Sequence, residues 1–136
     1  MSEFDYQAWV GRSETVTDAI SPWPIKALGA VLDRDDPPPK PGDPVPPGWH
    51  WLYFLEAKRA SELGHDGHPR RGGFLPPVAL PRRMWAGGRI EFLKPMRIGS
   101  TMQRKSEIVG IEHKHGNSGD LVFVVVRHLI SGSDGL

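Results

Sequence analysis

Histidines and paired arginines are the residues of this chain whose types and spacing suggest chemistry. His65 and His68 stand three apart with Asp66 between them, and on one helical turn that spacing can aim two imidazoles at a metal ion. Gly64 and Gly67 flank them and argue for a loop instead, and no third ligand is identifiable, so no metal site is expected. His68 is read as part of a gate or substrate-lining loop. Arg70-Arg71 and Arg82-Arg83 are basic pairs suited to holding phosphate groups, or else solvated arginines paired with surface acids. Phe74 and Trp85, with Trp51 and Phe54, can line an apolar pocket or bury an interface, and the interface is the commoner use of such rings. His113-x-His115 beside a turn is expected to be exposed and incidental. Glu56 and His50 could share acid–base work only if the fold brings them together.

Composition narrows the partners. With 17 basic and 16 acidic residues the net charge is +1, which gives no electrostatic case for nucleic acid or a membrane surface. The absence of cysteine removes disulfides, thiolate metal sites and a cysteine nucleophile. No run approaches the ~20 apolar residues of a membrane span, and the acidic start Met1-Ser2-Glu3-Phe4-Asp5 lacks the apolar core of a signal peptide. The cytoplasm is therefore expected. A length of 136 residues fits one domain over 1–136, with 131–136 as a linker start or tail.

The elements that must position these residues are read from pattern. Residues 3–20 are expected to be short helical or irregular pieces separated at Gly11. Ser21-Pro22 signals a helix start, with Ser21 as the cap. The helix over 22–33 carries Lys26 as its only charge before Asp33, so it is expected to be buried nearly all round. Gly29 in its interior costs ~1 kcal/mol against Ala, and either a close backbone neighbour or simple tolerance accounts for it. Residues 33–47, with Pro37-Pro38-Pro39, form a surface loop. Residues 48–55 are an aromatic strand or extended segment, and 58–83 a long loop. Alternation predicts a strand over 88–93, a long strand over 101–113, a turn at Gly116-Asn117-Ser118-Gly119 and a strand over 121–130. The last contains Leu121-Val122-Phe123-Val124-Val125-Val126, apolar on both faces, and is expected to lie centrally in its sheet.

Several stretches carry a family resemblance. They are Trp49-His50-Trp51-Leu52-Tyr53-Phe54-Leu55, the run from Gly64-His65-Asp66-Gly67-His68-Pro69 through Arg70-Arg71-Gly72-Gly73-Phe74, then Pro81-Arg82-Arg83-Met84-Trp85, and Gly116-Asn117-Ser118-Gly119-Asp120. With these the chain resembles the N-terminal half of MaoC-like acyl-thioester dehydratases and hydratases. The resemblance implies an α+β hot-dog fold, a long antiparallel sheet wrapped around one buried helix. It also implies an acyl thioester of coenzyme A or of a carrier's pantetheine arm, with no other cofactor. His68, Arg70, Arg71, Phe74 and Trp85 become the expected substrate contacts.

In that family the catalytic Asp or Asn close before a His opens the helix of the C-terminal half. Here Pro22-Trp23-Pro24 occupies the helix start, with no His nearby. The expectation is thus a half without catalytic residues, working as a homodimer or as a heterodimer with a C-terminal-type half. Its alternative is a stand-alone thioester-binding domain without turnover. A thioesterase is set lower, because Asp33 lies at the far end of the helix and Asp18 only precedes it.

Overall fold

The computed structural model describes residues 5–133. In order, the chain forms a 3-10 turn at Tyr6–Trp9, strand β1 at Ser13–Ala19 and helix α1 at Trp23–Val31. Shorter 3-10 turns follow at Trp49–Leu52 and Ala60–Glu62, then strand β2 at Thr101–Gly116 and strand β3 at Gly119–Ser131. The strands make one sheet in the order β1-β2-β3. This is the α+β arrangement of an antiparallel sheet with a short helix that the hot-dog expectation requires.

The register follows from a few bonds. The Ile108 N–H donates to Arg12 (2.9 Å) and the Ile20 N–H to Ser100 (2.9 Å). Carried between these bonds, one antiparallel register sets Val16 opposite Arg104 and Asp18 opposite Met102. Burial agrees with it. Val16, Asp18 and Ile20 alternate inward along β1, and Met102, Arg104, Ser106 and Ile108 do so along β2.

The chain divides into two compact units, one from Thr15–Leu55, Arg89–Arg104 and the segment from Leu129, the other from Glu56–Gly88, Lys105–His128 and the segment up to Glu14. In the first, Ile20, Val45, Tyr53, Phe54, Met96, Ile98 and Met102 are buried together, and Ile25 of α1 packs against them. In the second, Ile108, Ser106 and Pro76 are fully enclosed.

Several expectations are corrected here. Residues 13–19 are a strand, because Thr15, Val16 and Thr17 favour extended backbone and β2 supplies the ladder. Trp49–Leu52 is a 3-10 turn, entered through Gly48 at φ 91°. Residues 88–93 form no strand. Their alternation is real, but they sit in no ladder, and Ile90, Phe92 and Leu93 remain exposed. The long strands and the turn stand as read, but β2 is central and β3 lies at the sheet's end, with Leu121 and Val125 more than half exposed.

Helix α1 is not buried all round. Gly29 alone is fully covered, while Trp23 is 68% and Val31 80% exposed. Its cap position is Pro22, without a side-chain cap bond, and Ser21 contributes its carbonyl instead, to the Tyr53 hydroxyl. The proline-rich loop is also more than surface. Val45 donates to Met96 (2.7 Å) and Ile98 to Asp43 (2.9 Å), which threads Val45 into the core. Ser131 closes β3, and residues 134–136 of the expected tail, like the first four residues of the acidic start, lie outside the described residues.

Gly29 answers its own question. A Cβ there would meet only the Asp36 carboxylate at 3.8 Å, an ordinary contact, so no backbone approach demands glycine. Gly29→Ala is expected to stabilise the protein by about 1 kcal/mol, the helix-propensity difference, read as a higher midpoint in urea.

Candidate functional site

Two clefts carry chemistry, one in each unit. The first, about 330 Å³, opens where β1 runs into the start of α1 and is lined by residues 16–19, Ser21, Pro24 and residues 52–55. Asp18 reaches it because the strand period turns residues 16, 18 and 20 to one face, which places a carboxylate between two apolar neighbours. Its Oδ2 accepts the Phe54 N–H at 2.9 Å. The Tyr53 hydroxyl donates to the Ser21 carbonyl at 2.5 Å. Burial, and after it the charge of Asp18, push the Tyr53 phenol above its ordinary value, so the ring keeps its proton.

Phe54 closes the cleft in an unusual way. It is 5% exposed and sits at φ 60°, the left-handed region that a bulky side chain avoids. Two contacts hold it there: Asp18 takes its N–H, and Arg104 lies 5.8 Å over its ring and donates to its carbonyl at 3.4 Å. Strained backbone of this kind gathers at functional sites. The alternation of Val16, Asp18 and Ile20 with Thr15, Thr17 and Ala19 is the signal that could have turned Asp18 inward on a strand instead of leaving it merely ahead of the helix.

His50, in the same unit, has its ring edge-on to Phe92 (5.9 Å), and its Nδ1 is buried without a hydrogen-bond partner. Burial lowers its pKa from the usual 6.5. The unfolded chain then takes up this proton more readily than the folded one, so stability falls as pH drops below 6.5 and levels off under the folded value. Thermal midpoints measured from pH 8 to 5 are expected to show this decline, and His50→Leu to flatten it. Glu56 is exposed and ion-paired to Lys58 at 3.2 Å.

The second cleft, about 380 Å³, is lined by Asp66, His68, Pro81, Arg82, Arg83 and Met84. Its frame is a small hairpin. The Gly64 N–H donates to His68 (2.7 Å), the Arg70 N–H to Glu62 (3.0 Å), and Asp66 Oδ1 accepts the His68 N–H (3.1 Å). That backbone bond lowers the Asp66 carboxyl from its usual range, against a desolvation cost that exceeds the lesser help of the nearby Arg83 charge. Arg83 Nε lies 3.6 Å from Asp66 and is buried without a hydrogen bond, while its Nη2 donates to Pro69 (3.1 Å).

Of the residues singled out as substrate contacts, His68 lines this cleft. Arg70 is exposed, with Nε 3.4 Å from the Leu63 carbonyl. The Arg71 guanidinium donates to the carbonyls of Val78 and Leu80 and so ties the loop together. Phe74 is half-buried and Trp85 exposed, and neither lines the cleft. Arg83 was grouped with Arg82 only as a basic pair, and its role in the cleft depends on a fold between residues 66 and 83 that spacing does not disclose.

The sequence pattern of the hydroxyacyl-thioester dehydratase type 2 family matches residues 48–134. The chain belongs to that family. It is also 47% identical over 130 residues to the mesaconyl-C(4)-CoA hydratase of Chloroflexus aurantiacus, a match that covers 96% of this chain and 46% of the relative. The chain thus spans about half the length of the curated relative it matches. These likenesses to a dehydratase family and a hydratase overturn the expectation of a half without catalytic residues, and that of a binding domain without turnover. That expectation rested on the missing His at the helix start. A carboxylate reaches that place from β1, where Asp18 faces the same cleft as Ser21 and Pro24. Among the described residues no helix is long and apolar enough to cross a membrane.

Proposed function

We propose that this member of the dehydratase family itself adds water to, or removes it from, an acyl-CoA or acyl-carrier thioester. The carrying observation is the Asp18 carboxylate, held by the Phe54 N–H in a cleft at the start of α1. Hydration needs a base for water, a proton for the α-carbon and stabilisation of the thioester oxygen as it turns enolate-like. Asp18 takes a proton from water as the water oxygen bonds to the β-carbon and the double-bond electrons move toward the thioester, and the enolate-like α-carbon then takes that proton back from Asp18, which restores the carboxylate. Dehydration runs the same steps backward. The first helical turn has N–H groups without intrahelical partners, and with proline at 22 and 24 these belong to Trp23 and Ile25. Their dipoles suit the developing negative charge.

In the other unit, His68, Arg70, Arg71, Phe74 and Trp85 are proposed to contact the thioester or its carrier, with Arg83 added to that set for its unbonded buried Nε. Hot-dog proteins commonly oligomerise, and the exposed Leu121, Val125 and Leu129 of β3 suit a homodimer. Residues 1–136 are proposed as one hot-dog domain acting in the cytoplasm.

The test is direct. The chain is incubated with crotonyl-CoA, mesaconyl-CoA and 3-hydroxyacyl-CoA, and the enoyl-thioester absorbance is followed. Turnover of at least one is expected, and inertness toward all three would refute the reading.

A further inference from the structure

We propose that His113, His115 and Asp120, at the tip of the β2-β3 hairpin, bind a late first-row divalent cation such as Zn²⁺. This site is separate from the proposed hydratase chemistry and does not depend on it. The strand period directs His113 and His115 to one face of β2. The two-residue turn between Gly116 and Gly119 then brings Asp120 across from His115. Asp120 Oδ1 lies 2.8 Å from His115 Nδ1, and its Oδ2 lies 3.7 Å from His113 Nε2. One ligand atom from each residue falls within 4.8 Å of the others.

Zinc bonds to nitrogen and oxygen are about 2.0–2.2 Å long, so tetrahedral ligand atoms sit roughly 3.3–3.6 Å apart. The two Asp120 spacings, one from each carboxylate oxygen, lie either side of that value, and side-chain rotation would close the three ligand atoms, all within 4.8 Å of one another, on an ion. The imidazoles already face one another, with ring centres 4.3 Å apart. The ring of Tyr6 packs at right angles to that of His113, with centres 6.1 Å apart. All three residues are exposed, which gives an ion a path in and leaves room for water as a further ligand. Two imidazoles with one carboxylate favour zinc, nickel or copper over magnesium or calcium.

The experiment titrates Zn²⁺ into the untagged chain by calorimetry and repeats it with Co²⁺, whose visible spectrum reports coordination. Saturable binding of one ion per chain is expected, with Kd weakened at least tenfold in His113→Ala, His115→Ala and Asp120→Asn. The double variant His65→Ala/His68→Ala separates the other histidine pair and is expected to bind like the parent. Each exposed substitution is checked for an unchanged melting midpoint without metal, and zinc is expected to raise that midpoint only where the site is intact. Absence of saturable binding overturns the proposal, as does binding that survives the hairpin substitutions or disappears in the His65/His68 variant.

Discussion

Replacing Asp18 by Asn is expected to lower thioester turnover by about 10²–10⁴-fold, the range for loss of a positioned general base, while leaving the melting midpoint nearly unchanged. Asn keeps an oxygen where the Phe54 N–H needs an acceptor, 2.9 Å away in the parent. It cannot take a proton from water. The substitution therefore separates chemistry from architecture. Asp18→Ala does not, because it strands a largely buried N–H at a cost of about 1–3 kcal/mol and lets Phe54 relax as well. Full activity in Asp18→Asn would remove this carboxylate from the mechanism.

The second large effect concerns Phe54 itself. Truncating a buried phenylalanine to alanine costs about 3–5 kcal/mol, and Phe54 is 5% exposed. Its φ of 60° adds a second quantity. A side chain with a Cβ is disfavoured there by roughly 1–2 kcal/mol, which Phe54→Ala retains and Phe54→Gly releases. Glycine returns about 0.5–1 kcal/mol of that through the greater freedom of its unfolded chain. The glycine variant is accordingly expected to be at least as stable as the alanine variant, and up to about 1.5 kcal/mol more so, against the usual order for these residues. Urea denaturation of both decides it. An alanine variant clearly more stable than the glycine one would mean that the backbone at Phe54 is not strained.

The residues differ in how plainly they announced their places. The hairpin of β2 and β3 was legible because its strands are long, its turn has four small residues and both signals are local. The fold class followed from it and from the helix. Strand β1 was not legible, since its outward face is polar, it has seven residues, and its partner lies some ninety positions along the chain. Reading 3–20 as short helical or irregular pieces left Asp18 as a carboxylate that only precedes the helix. Val45 was hidden in the same way, inside a run of prolines whose pairing with 96–98 is set by distant contacts. His115 and Asp120 show the opposite case. Once the turn at 116–119 is placed, the register sets them face to face, and only the presumption that exposed histidines are idle kept them apart.

The separation of β1 from β2 along the chain has a kinetic consequence. The β2-β3 hairpin closes across a two-residue turn and can form in microseconds, whereas β1 must close a loop of more than eighty residues before its ladder forms. The carboxylate proposed as the base thus arrives with one of the slowest contacts in the fold. On the proposed mechanism, a refolding chain is expected to acquire its hairpin first and to stay catalytically silent until β1 docks, so that the return of activity times the closure of the longest loop.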